Sequence, residues 1–93
     1  MEKISTSLEA IAVAVDKGSD SLKVEEAIKA TKHLVEESKK KSGGEQAAAF
    51  GQLETELATW QSKLAVILKE PVGQKGMVKH ARYWAERLKM SSQ

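Results

Sequence analysis

Gln46-Ala47-Ala48-Ala49-Phe50-Gly51-Gln52-Leu53-Glu54-Thr55-Glu56-Leu57-Ala58-Thr59-Trp60-Gln61-Ser62-Lys63-Leu64-Ala65-Val66-Ile67-Leu68-Lys69 carries the most regular hydrophobic pattern in the chain. Phe50, Leu53, Leu57, Trp60, Leu64 and Ile67 recur at alternating spacings of three and four. That spacing puts all six side chains on one stripe of an α-helix. The remaining periodic stretches read as helices that cover this stripe. The expected fold is all-α: an antiparallel four-helix bundle, with two long central helices as a hairpin and two shorter terminal helices.

The same stretch has a second stripe, opposite the first, made of Ala48, Gly51, Thr55, Ala58, Ser62 and Ala65. Small side chains let another backbone come close. A glycine inside a helix costs about 1 kcal/mol relative to alanine, so Gly51 asks for a local reason. The stripe is either a second packing face or a solvent-facing surface rich in the best helix former.

Working backwards, Ser42-Gly43-Gly44 breaks the pattern, and Ser42 with Glu45 has the form of a capping box. So short a connection forces the helices on either side to lie antiparallel. The preceding helix is expected over about 22–41. Val24, Ile28, Thr31, Val35 and Ser38 form its inner face, and Ser19-Asp20-Ser21 offers its N-cap. Glu25/Lys29, Glu36/Lys40 and Glu37/Lys41 pair at spacing four on its outer face. The first helix is expected to start from Thr6 as N-cap with Glu9 three residues on, to bury Ile4, Leu8, Ile11 and Val15, and to stop at Gly18. Val13 points away from that stripe, as an exposed valine or a subunit contact.

Working forwards, Pro71 ends the third helix, and Pro71-Val72-Gly73-Gln74-Lys75-Gly76 reads as a loop. Its Gly-Gln-Lys-Gly lacks the spacing of a phosphate-binding P-loop. The last helix is expected over about 77–90, with Met77, Ala81, Trp84 and Leu88 inside and Lys79, Tyr83 and Arg87 on another flank. Ser91-Ser92-Gln93 is expected to fray. The buried indole N–H groups of Trp60 and Trp84 need acceptors, for which Thr31 and Ser38 are candidates.

Ninety-three residues suit a single domain over 1–93. The absence of cysteine removes disulfides, thiol nucleophiles and thiolate metal sites together. The longest uncharged apolar runs, 10–15 and 64–68, fall far short of the ~20 residues that span a bilayer. No basic leading segment is seen, and a cytoplasmic location is expected. Charge is uneven. Residues 1–74 hold ten Lys/Arg against twelve Asp/Glu, whereas 75–93 hold five against one, a basic end on a mildly acidic body.

Catalytic chemistry has little to stand on, so no enzyme activity, cofactor or metal is expected. His33 falls on a solvated outer face with Glu36 and Glu37, too few ligands for a stable metal site. Neither histidine has the preceding glutamate of the di-iron bundle motif. The expected function is that of a non-enzymatic interaction or adaptor protein that self-associates as a homodimer. Val13, Ala48, Gly51, Thr55, Ala58, Ser62 and Ala65 would form its contact. The reason is a length mismatch. A third helix of about 25 residues is ~38 Å long, and terminal helices half that length leave the hairpin thinly covered unless they pack end to end. The alternative is a nucleic-acid or acidic-partner surface on the basic last helix, through Lys75, Lys79, Arg82, Tyr83 and Arg87.

Overall fold

Helix α1 spans Glu2–Asp16, α2 Ser21–Lys41, α3 Gly44–Lys69 and α4 Pro71–Ser91, in a computed structural model that describes residues 2–91. Ser92 and Gln93, within the stretch expected to fray, lie outside the described residues. Each helix packs along its sequence neighbours, and α1 closes the ring against α4. Two contacts set the antiparallel sense of the pairs. Ser5 on α1 donates to the carbonyl of Ala85 near the end of α4 (2.8 Å). Lys39 near the end of α2 pairs with Glu54 on α3 (3.0 Å). The result is an antiparallel four-helix bundle measuring 37 × 23 × 18 Å.

The core follows the hydrophobic stripes. Ile4, Leu8, Ile11 and Val15 of α1 meet Val24, Ile28 and Val35 of α2, Phe50, Leu53, Leu57, Trp60 and Leu64 of α3, and Met77, Ala81, Trp84 and Leu88 of α4. Leu8, Ile28, Leu53 and Leu57 have no accessible surface at all. Burying one such side chain is worth about 1.5–3 kcal/mol, so these stripes dominate the stability of a chain this small.

The helix ends depart from expectation in ways that matter. Helix α1 begins at Glu2, so Thr6 lies inside it and forms no capping box. Asp20 does cap α2, accepting from the Lys23 amide (2.9 Å). Ser42 faces backwards: its hydroxyl donates to the Ser38 carbonyl (2.8 Å), and Gly43 stands as the N-cap of α3 without a side-chain bond. Gly18 adopts φ +73°, a left-handed conformation that ends α1 with little steric cost.

The largest difference is at residues 71–76, which form the first turns of α4 rather than a loop. Proline suits the first helical position, because the N–H it lacks has no partner there in any case. Glu70 alone separates α3 from α4. The close approach of Gly73 makes so tight a turn workable, and α3 carries a kink of its own about two turns earlier. Lys63 leaves helical geometry (φ −110°, ψ 15°) and kinks α3. Gly73 lies against the α3 backbone, where a Cβ would sit 2.5 Å from the Ile67 carbonyl oxygen. The Gln74 side chain then donates to the Leu68 carbonyl (2.6 Å), satisfying an acceptor at the end of α3.

With these turns included, α4 has 21 residues, as many as α2, and only α1 is short at 15. The length mismatch that suggested a second copy is therefore removed for α4 and remains for α1.

Candidate interaction surfaces

The outer face of α4 gathers four of the five residues expected to meet a nucleic acid or an acidic partner. Lys75, Lys79, Arg82 and Tyr83 are all exposed. Helical periodicity brings Val72, Lys79, Tyr83 and Met90 onto one strip, with Lys75, Arg82 and Glu86 beside it. Val72, Tyr83 and Met90 expose 80%, 58% and 71% of their surface, enough to make them three of the largest exposed apolar groups among the described residues. Lys75, Lys79 and Arg82 have no ion-pair partner there.

Arg87 points elsewhere. Its guanidinium lies over the Trp84 ring, 4.9 Å from the centroid, and the Tyr83 ring meets that indole edge-on (5.8 Å, 76°). Arg87 thus shares a cation–π contact with a core tryptophan instead of standing with Lys79.

Beneath this face lies a cluster that the sequence did not reveal. Glu56 of α3 accepts from the Trp84 indole N–H through Oε2 (2.7 Å) and pairs with His80 Nδ1 through Oε1 (2.6 Å). An ionised carboxylate accepts both bonds when Nδ1 carries the ring proton, which leaves Nε2 facing outward. Trp84 therefore takes its acceptor from α3, not from Thr31 or Ser38. Thr31 instead donates to the Ala27 carbonyl (2.8 Å) and accepts from Ser7, which ties α1 to α2. Glu56 stands 24 residues from His80 and 28 from Trp84, so no local motif announces the group.

The small-residue row of α3 stays open. Ala48, Thr55, Ala58, Ser62 and Ala65 are exposed, and Gly51 is half-buried. Thr55 and Thr59 turn their hydroxyls back onto the carbonyls of Gly51 and Thr55 (3.1 and 3.0 Å). Val13 does not join this row. It is 41% exposed on α1, the helix diagonally opposite α3, so the two look out on opposite sides of the bundle.

His33 is exposed beside Glu37 (3.7 Å), and no group of three or more metal-ligating side chains occurs among the described residues. No helix among them is long and apolar enough to cross a membrane. Comparisons with protein-family models, with curated proteins and with solved structures find no match to this chain.

Proposed function

We propose that this chain is a non-catalytic interaction module that docks an acidic amphipathic helix along the outer face of α4. One observation carries the reading: exposed apolar side chains and unpaired cations share the same strip. Val72 and Met90, with Tyr83 between them, lie 18 residue steps apart, about 27 Å at 1.5 Å per residue, which is the length of an ordinary helix. Lys75, Lys79 and Arg82 flank them and complement a partner with glutamates beside its apolar stripe. Tyr, Met and Arg are the residue types enriched at protein interfaces. A nucleic acid would use the cations and Tyr83 but has no need of Val72 or Met90.

The test uses three labelled probes at low and moderate salt: a designed Leu/Glu amphipathic helix, a scrambled peptide of the same composition, and mixed-sequence DNA. The amphipathic peptide is expected to bind in the micromolar range and at least tenfold tighter than its scramble. A Lys79→Glu/Tyr83→Ala variant should lose it. Absence of peptide binding at low salt would remove the proposal. Tighter, steeply salt-dependent binding of DNA would replace it with nucleic-acid recognition.

Self-association is the second reading, favoured by the open row on α3. The Thr55 hydroxyl in that row is satisfied within the helix, so a second copy could approach without stranding it. Sedimentation of the parent beside Ala58→Glu tests it. A dimer that dissociates in the variant supports the contact, and a monomeric parent at high micromolar concentration dismisses it.

A further inference from the structure

The last turns of α1 and the first turns of α4 enclose a cleft of about 500 Å³. Val15, Pro71 and Val78 give it an apolar floor. Val15 is nearly inaccessible and Val78 is half-buried, so these two valines are continuous with the core, and Pro71 is exposed beside them. Lys75, Lys79 and Arg82 rise along one wall, and Asp16 stands at the other. The size falls within the range of small-molecule sites, which pair an apolar lining with a few polar groups.

The charge on the wall is what needs a partner. Lys75, Lys79 and Arg82 follow at spacings of four and three, so they stack along one ridge of α4 and repel one another. A cation on α2 shows the contrast. On α2, Lys29 is matched by Glu25 at 3.7 Å. On α4 the residues four before Lys79 and four after it are Lys75 and Tyr83, and Arg82 makes no ion pair with Glu86. Asp16 offsets one of the three cations and leaves a surplus of two. A concave site with low-dielectric walls concentrates such a field. The positive end of the α4 dipole at Pro71 adds to it.

We infer that this α1–α4 cleft binds a small organic anion, with its carboxylate, sulfonate or phosphate head on Lys75, Lys79 and Arg82 and an apolar body on Val15, Pro71 and Val78. The inference does not rest on a macromolecular partner, although the cleft shares cations with the docking strip. Tyr83 and Met90 lie outside it, which separates the two readings.

The experiment titrates the full chain with 8-anilinonaphthalene-1-sulfonate and with its uncharged parent, N-phenyl-1-naphthylamine, and maps amide shifts by NMR. The anion should bind with one-to-one stoichiometry and at least tenfold tighter than the uncharged amine. Its shifts should centre on Val15, Gln74 and Val78. A Lys75→Gln/Arg82→Gln variant that keeps the parent amide spectrum away from α4 should bind the anion at least tenfold more weakly and the amine unchanged. Tyr83→Ala should retain anion binding even though it weakens the acidic peptide. Equal affinity for anion and amine, shifts centred on Tyr83 and Met90, or an unaffected double variant would overturn the inference. Full displacement of the probe by inorganic phosphate at low millimolar concentration would overturn the apolar part of it.

Discussion

A methyl group added at Gly73 would meet the backbone of Ile67, whereas one added at Gly51 would find nothing closer than the Lys39 ammonium at 4.0 Å. Both glycines lie inside helices of the structure, and they should respond to alanine with opposite sign. Gly51→Ala removes backbone freedom from the unfolded chain and fits the native helix, so it should stabilise by about 0.5–1 kcal/mol. Gly73→Ala forces the start of α4 away from the end of α3 and should destabilise by about 1–3 kcal/mol, the usual cost of overpacking. Urea denaturation of both variants measures this. Equal and small effects would mean that the α3–α4 turn relaxes freely. Glu56 is the other residue whose role is set by distant partners. Glu56→Ala strips the Trp84 indole and His80 of their shared acceptor and should cost about 1–3 kcal/mol, the range for bonds to a charged group. A melting temperature equal to that of the parent would show that water replaces the carboxylate at no cost.

At the level of helices, the interiors were legible and the ends were not. Phe50, Leu53, Leu57, Trp60 and Leu64 are buried as their spacing required, because a 3.6-residue period over about four turns admits few other readings. End signals are short and compete. Thr6 with Glu9 and Ser42 with Glu45 both have the capping form, yet helix continues through the first, and Ser42 in the second bonds backwards to Ser38. Pro71 and Gly73 resemble a loop only until Pro71 is placed at the first helical position and Gly73 against the α3 backbone. This reading has a direct check. Asp20→Ala, which removes a cap seen in the structure, should destabilise by about 0.5–2 kcal/mol. Thr6→Ala, at an exposed position inside α1, should stay within about 0.5 kcal/mol of the parent. A cost at Thr6 matching that at Asp20 would place the start of α1 at Thr6 after all.

Across the whole molecule, the candidate sites are products of helix pairing, which explains why so little of them could be read in advance. The cations of α4 were visible as a basic end, but their cleft needs α1 beside them, and its floor needs residues 71–76 to be helical. Glu56, His80 and Trp84 meet only because α3 and α4 run antiparallel. The same view separates what the fold requires from what it merely carries. Among the described residues eighteen apolar side chains form the core, and none of them is a lysine stem of α4. Lys79 lies outside that core, between like-charged neighbours at Lys75 and Arg82, and makes no ion pair. Removing its charge should therefore cost the fold nothing. Lys79→Gln is expected to melt within about 0.5 kcal/mol of the parent, or slightly above it at low salt, where repulsion between exposed charges is least screened. The same variant should bind both the acidic peptide and the sulfonate probe more weakly. A clear loss of stability would instead mean that Lys79 serves the bundle, with Asp16 across the cleft as its partner in all but contact distance, and the surplus charge on α4 would no longer need a ligand to account for it.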